Sequence, residues 1–309
     1  MHTTTPPLAI AVIGATATGK SDLALDLAEE LGAEIVNADA MQFYRGMDIG
    51  TAKLPVSHRR GIAHHLLDIL DVTEDASVAR YQQDARAVVR TLRDQSSPAI
   101  LVGGSGLYVR AVVDDLEFPG HDPQIRAALE RRAETEGPGV LYQELLTRDP
   151  AAAEKIAPAN VRRVVRALEV IELTGQPFSA TLPEYRYVMP TVQLGLRLDR
   201  GILDDRIARR VVTMWDQGLV DEVRTLEERG LRSGTTARRA LGYAQILDYF
   251  DGRCSQDEAI EATIVQTRQF ARRQETWFRR DKRVDWLDAS SSPATLLREA
   301  RGVVEAWKQ

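Results

Sequence analysis

Gly14-Ala15-Thr16-Ala17-Thr18-Gly19-Lys20-Ser21 follows an apolar run from Leu8 to Ile13 and opens an amphipathic stretch from Ser21 to Leu31. Strand, glycine-bounded loop and helix, in that order, are the setting of a phosphate-binding loop. Gly14 and Gly19 let the backbone turn its N–H groups toward one point. The following helix adds the positive end of its dipole, and Lys20 adds a full charge. Ser21 is placed to offer its hydroxyl to a magnesium ion held by the same phosphates. A chance glycine-rich turn would not combine this spacing, the Lys-Ser pair and the strand-helix context. Whether the phosphates belong to a nucleotide or to another ligand stays open at this point.

The 309 residues suffice for one large domain or two small ones with an ample core. An apolar fraction of 44% and a charged fraction of 28% argue against global disorder. The longest apolar runs are strand-sized, so no transmembrane helix is expected. Met1 to Pro7 lacks the regions of a signal peptide. The single Cys254 excludes an intrachain disulfide and a cysteine-based zinc site. A cytoplasmic setting fits, and with no heptad or long exposed apolar stripe a monomer is expected.

The net charge of −5 argues against general nucleic-acid binding, but the arginines are clustered. Arg162, Arg163 and Arg166 form one group, and Arg206, Arg209 and Arg210 a second. The third comprises Arg268, Arg272, Arg273, Arg279, Arg280, Lys282 and Arg283, opposed only by Glu275 and Asp281. Local patches can bind phosphates on a protein of negative total charge; a solvated helix face is the plainer reading of any one cluster alone. Arg206 and Arg210, and likewise Arg162 and Arg166, lie one helical turn apart and can face one anion. Their guanidinium forks suit phosphate oxygens.

Along the chain, Gly32 caps the first helix, and Glu34 to Asn37 reads as the second strand. Asp39 then falls just beyond a strand's C-terminal end, where open α/β sheets place their ligands. Ser77 can cap a helix through Arg93. Ala99 to Val102 reads as a strand buried on both faces and delivers a second glycine turn, Gly103-Gly104-Ser105-Gly106. Short buried strands separated by helices predict a doubly wound parallel α/β sheet of phosphate-loop type. From Pro119 to Pro190 the pattern is helical, over Asp122–Glu136, Gly139–Leu146 and Asn160–Leu173. The predicted organisation is a core of residues 1–118 and 191–309 with an inserted helical domain, 119–190. Val192 to Leu196 resumes the sheet, and Val284 to Leu287 is a candidate last strand.

Asp39 can accept a proton from a nucleophile attacking whatever sits on the loop, given enough desolvation to raise its basicity. A magnesium-ligand role and a plain surface carboxylate compete with that reading. Ser105, after two glycines, can approach a ligand closely, although a turn chosen only for backbone geometry explains it almost as well. His64-His65 have no partner at metal-ligand spacing, which favours a structural or hydrogen-bonding role.

Gly14 to Ser21, Asp39-Ala-Met-Gln42, Tyr44-Arg-Gly-Met-Asp-Ile-Gly-Thr-Ala-Lys53 and Leu101-Val-Gly-Gly-Ser-Gly-Leu-Tyr108 carry a resemblance to the bacterial tRNA dimethylallyltransferases. Arg166-Ala-Leu-Glu169, Arg206-Ile-Ala-Arg-Arg210, Arg239-Ala-Leu-Gly-Tyr243 and Thr267 to Gln274 follow in the family's order. It implies transfer of a dimethylallyl group from dimethylallyl diphosphate to N6 of the adenosine 3′-adjacent to the anticodon, with Mg²⁺ as cofactor and the tRNA anticodon stem-loop as partner. It further implies Asp39 as general base, with Ser105 contacting the tRNA beside the reacting nucleotide. Gly14, Ala15, Thr16, Ala17, Thr18, Gly19, Lys20, Ser21 and Arg210 are implied to bind the diphosphate. Asp39, Ala40, Met41, Gln42, Arg126, Arg162, Arg163, Arg166, Arg239, Gly242 and Tyr243 are implied to line the tRNA site. Ala40 stands where the family usually has Ser, and Ser105 where it usually has Thr; both changes touch substrate positioning rather than the chemistry.

A small-molecule kinase using the loop for ATP and Asp39 as acceptor base is the main alternative. A non-catalytic RNA-binding module is the third, opposed by the intact Lys20, Ser21 and Asp39. Incubation with labelled dimethylallyl diphosphate or labelled ATP, with and without tRNA, separates the three.

Overall fold

Six short strands, all parallel, form one sheet in the computed structural model, which describes residues 9–181 and 185–307. Leu8 and the segment Met1–Pro7 lie outside them. The strands are β1 (Ala9–Gly14), β2 (Glu34–Asn37), β3 (His64–His65), β4 (Ala99–Gly103), β5 (Thr191–Arg197) and β6 (Val284–Asp288). Their spatial order is β3-β2-β4-β1-β5-β6. Every residue of β1 is buried, as is all of β5 but Arg197, because helices cover both faces of a parallel sheet. Helix α1 (Lys20–Leu31) carries the chain from β1 past the place later filled by β4 to reach β2. The C-terminal ends of β2, β4 and β1 are therefore neighbours: Asn37 pairs with Val102, and Ile13 with Gly103. The phosphate loop, Asp39 and the second glycine turn leave the sheet side by side.

Local chemistry sets the helix ends. Gly32 ends α1 at φ 61°, in the left-handed region that glycine adopts without penalty. Ser77 caps α2 (Val78–Asp94) by accepting from the Arg80 N–H. Helix α3 (Gly106–Val113) comes directly after the glycine turn. The two-residue β3 escaped the sequence reading because it is too short to show alternation; it pairs Ile35 with His64 and Val36 with His65 at the sheet edge. His64 donates through Nδ1 to the Ile62 carbonyl, and His65 through Nε2 to Glu34.

The chain divides into two compact units, Met1–Val113 with Tyr187–Gln309, and Asp114–Arg186. The division falls a few residues ahead of the proline-based boundaries. Asp115 donates its N–H to the Arg186 carbonyl, and their side chains pair, so the two ends of the smaller unit are joined there. That unit contains α4 (Pro123–Thr135), α5 (Pro138–Arg148), α6 (Pro150–Lys155) and α7 (Val161–Thr174). Helix α6, six residues long, was not apparent from periodicity. Leu129, Leu141, Leu145, Val164, Val165 and Leu168 form its own core, each worth about 1.5–3 kcal/mol in burial.

Within this core Glu169 has no exposed side-chain surface. It accepts from Arg126 at 2.6 Å, from Arg166 at 2.9 Å and from the Asp122 N–H at 3.1 Å. Arg166 also donates to the carbonyls of Pro119 and Gly120. The larger unit continues with α8 (Arg200–Asp216), α9 (Leu219–Glu228), α10 (Tyr243–Phe250), α11 (Gln256–Phe278) and α12 (Pro293–Trp307). Among the described residues no helix is long and apolar enough to cross a membrane.

Removing Glu169 takes the carboxylate from two partly exposed guanidinium groups, although Arg166 keeps the Pro119 and Gly120 carbonyls. Glu169→Ala should destabilise the helical unit by about 1–3 kcal/mol. Loss of amide-exchange protection in α4 and α7, with β1 and β4 still protected, is the expected outcome.

Candidate active site

The phosphate loop is held open by backbone geometry. Gly14 has φ 141°, and a Cβ there would lie 2.6 Å from the Leu196 carbonyl oxygen, so only glycine fits against β5. Gly19 (φ 90°) and Ala17 (φ 64°) are both left-handed, which curls the loop over the start of α1. No side chain caps α1, leaving its first N–H groups to a ligand. The Ala15 carbonyl accepts from the Thr18 hydroxyl at 2.9 Å and from the Lys20 ammonium at 2.6 Å.

Asp39 begins a short 3-10 turn, Ala40–Phe43, and accepts from the Met41 N–H at 3.0 Å. Asn37 fixes it in place: its Oδ1 accepts from the Asp39 N–H, and its Nδ2 donates to the Asp39 carbonyl and to Leu66. The buried Tyr81 hydroxyl donates to the Asn37 carbonyl at 2.9 Å. Asn37 gave no signal in the sequence beyond its place in a strand.

The loop and Asp39 share a cavity of about 430 Å³, completed by Gln42, Thr51, Gly104, Arg206 and Arg210. A second cavity of about 490 Å³ is lined by Met41, Ser105, Val211, Met214, Arg239 and Gly242. Asp39, Thr16, Ala17, Thr51, Arg210 and Phe270 line both, so Asp39 stands between an anion-binding space and a more apolar one. Arg210 donates to the Thr16 hydroxyl at 3.5 Å. Arg209, expected with Arg206 and Arg210, is exposed and lines neither space.

Three charges are enclosed together here. Burial lowers the Lys20 ammonium to about 8; Asp39 opposes that shift and Arg210 adds to it. Burial raises the Asp39 carboxyl, against the Met41 N–H, Lys20 and Arg210. Arg210 is likewise pulled below its ordinary value by burial, opposed by Asp39 and Asp22. A site whose cations are under-solvated gains more than an open surface does from taking up an anion.

The segment Met47–Lys53 forms the cavity wall through contacts that the sequence did not reveal. Glu222, on α9, accepts from the N–H groups of Asp48, Ile49 and Gly50 at 3.1, 2.7 and 3.3 Å. Lys53 is buried and donates to Asp48 and Asp68, both at 2.6 Å, and to the Tyr44 carbonyl. Gln42 donates to the Thr51 carbonyl at 3.1 Å. Tyr243, expected on the RNA side, is fully buried and donates its hydroxyl to Glu222 at 2.5 Å. Its ring lies where a Cβ on Gly50 would be, 2.5 Å away. Its side chain therefore supports the wall, while Arg239 and Gly242 before it reach the second cavity.

The second glycine turn is shaped by close approach. A Cβ on Gly103 would lie 2.3 Å from the Ala38 carbonyl oxygen, and one on Gly106 1.8 Å from Trp277. Ser105, between them, lines the second cavity only. In the helical unit, Arg162 and Arg163 are exposed and make no side-chain hydrogen bond or ion pair among the described residues. Arg126 and Arg166 are both committed to Glu169.

Parallel sheet, glycine-bounded loop, paired arginines and a carboxylate lining the same cavity place the chain in the class of phosphate-loop α/β proteins. Residues 42–281 match the family "IPP transferase". A tRNA dimethylallyltransferase of Kineococcus radiotolerans is 59% identical over 94% of this chain and 94% of its own length. One from Streptomyces coelicolor is 57% identical over 97% and 96%. The crystal structure of the full-length tRNA isopentenylpyrophosphate transferase of Bacillus halodurans superimposes with a TM-score of 0.71 at 38% identity, covering 97% of this chain and 98% of that one. A eukaryotic dimethylallyltransferase caught acting on tRNA gives 0.80 at 26% identity, over 92% and 74%. The chain belongs to the IPP transferase family. Membership favours prenyl transfer over the kinase alternative.

The Lys20 environment has a measurable consequence. A bound anion restores the charge that burial depresses, so at pH 8 inorganic diphosphate should draw up to about half a proton onto Lys20. Calorimetry in buffers of differing ionisation enthalpy reads this uptake as the difference between wild type and Lys20→Arg, because diphosphate itself also exchanges protons near this pH. Affinity for diphosphate should fall in the wild type, relative to the variant, as pH rises through 8.

Proposed function

We propose that this enzyme transfers a dimethylallyl group from dimethylallyl diphosphate to N6 of the adenosine 3′-adjacent to the anticodon in tRNA. The observation that carries the reading is Asp39 on the boundary between the phosphate-loop cavity and the second, more apolar one. The donor's diphosphate occupies the loop with Lys20, Arg206 and Arg210. The adenine enters from the side of Ser105, Arg239 and Gly242.

N6 of adenine is a weak nucleophile because its lone pair is delocalised into the ring. Cleavage of the allylic carbon–oxygen bond therefore leads, and the bond's electron pair leaves on diphosphate. Loop N–H groups, Lys20 and Arg210 stabilise that developing charge. The N6 lone pair forms the new carbon–nitrogen bond, and its proton passes to Asp39. Burial raises the basicity of that carboxylate, which suits it to the task. The hydroxyl of Ser21 and the donor's phosphate oxygens make a hard oxygen set that fits magnesium, which when bound neutralises charge on the leaving group.

The adenine reaches Asp39 only when unstacked and turned out of its loop, at a cost of a few kcal/mol. Cationic contacts to the RNA backbone offset that cost. Arg162 and Arg163 are exposed cations of the helical unit with no side-chain partner among the described residues; Arg126 and Arg166 contribute from fixed positions beside Glu169.

Asp39→Asn keeps the size and an acceptor for the N6–H but cannot take the proton. Single-turnover transfer should fall about 10²–10⁴-fold, with affinities for tRNA and a non-reactive donor analogue near wild type. Recovery of rate at high magnesium would instead make Asp39 a metal ligand. Replacing Arg162 and Arg163 together by Ala should flatten the dependence of tRNA affinity on salt, by about one unit of log–log slope for each phosphate no longer neutralised. Binding of the donor analogue should not change.

A further inference from the structure

We infer that Gln274 is a positioning residue that sets the separation between the donor's phosphate loop and the acceptor-side glycine turn. This rests on the transfer reaction proposed above.

Gln274 lies near the C-terminal end of α11 and is almost wholly buried. Its Oε1 accepts from the Thr16 N–H at 2.9 Å, and its Nε2 donates to the Gly104 carbonyl at 2.9 Å. One planar amide thus spans the two loops between which the allylic carbon must move. Only a side chain with an acceptor and a donor on one rigid group makes both bonds. A Cβ on Gly104 would lie 2.1 Å from Nε2, so that glycine makes room for the bridge. Ser105 is next in the chain and lines the acceptor cavity, whereas Thr16 lines both cavities. Breaking the bridge shifts the two substrates relative to one another; Gln274 also lines the donor cavity, so donor affinity is measured beside the rate.

Displacements near one ångström cost up to about 10²-fold in rate. Gln274→Met, matched in length but without the bridging bonds, should lower the single-turnover rate with both substrates saturating by about 10- to 100-fold. Dissociation constants for tRNA and for the donor analogue should stay within about threefold of wild type. Gly104→Ala, which pushes the amide aside, should show the same split, and the double variant should be no slower than the worse single one. Gln274→Glu provides a rescue, because a protonated carboxyl both accepts and donates as the amide does. Its rate relative to wild type should rise as pH falls, although Lys20, Arg206, Arg210 and Asp39 around the same cavity set where. The ratio for Gln274→Met should stay flat. An unchanged rate in Gln274→Met, additive losses in the double variant, or weakened donor binding with full rate at saturation would each overturn the inference. If wild-type protein transferred no dimethylallyl group at all, the failure would lie in the proposed function instead.

Discussion

Close approach of backbone to backbone at one edge of the sheet is the constraint on which the site depends. Gly14 lies against Leu196 and Gly103 against Ala38, at distances that leave no space for a side chain. With these contacts the loop after β1, the aspartate after β2 and the turn after β4 share one cavity wall. A methyl group at either glycine would wedge neighbouring strand ends apart. The cost would fall on geometry before stability, since strain at a strand end displaces the loop attached to it.

Electrostatics builds on that frame. Lys20, Arg210 and Asp39 are enclosed near one another, and burial moves each toward its uncharged form. The arrangement without substrate is thus an under-solvated set of charges with a net need for an anion. In the proposed reaction, binding the donor and stabilising its leaving diphosphate would draw on the same property of the site. The wall that closes it is held by Glu222, whose carboxylate serves three consecutive N–H groups and the Tyr243 hydroxyl. That single acidic side chain ties the loop lining the donor space to the turn lining the acceptor space.

Elements carried by local pattern were legible in the sequence. The phosphate loop, the buried strands, Asp39 past a strand end and the helical insertion all show in runs of a few to fifteen residues. Gln274, Glu222 and Asn37 were not, because their partners are set by topology: Gln274 meets Thr16 across 258 positions of sequence. Tyr243, which the resemblance implies would line the tRNA site, has a fully buried ring that fills space beside Gly50. Spacing groups Arg166 with Arg162 as able to face one anion; its pairing with Glu169, one helical turn on, follows from the burial of that carboxylate. The edge strand His64–His65 and helix α6 are too short for any period to register.

The tie between Thr16 and α11 also bears on how the protein is made. The loop leaves the ribosome well before its brace, which follows 258 residues later in the chain. β1 itself waits for both neighbours, β4 and then β5 beyond the whole helical unit. The nascent chain therefore carries an apolar strand and an unbraced glycine loop until those later partners are made, the condition in which slow, non-local sheets are most exposed to misassembly. The helical unit, with a core of its own, can complete itself in that interval, shortening the unpaired chain between β4 and β5.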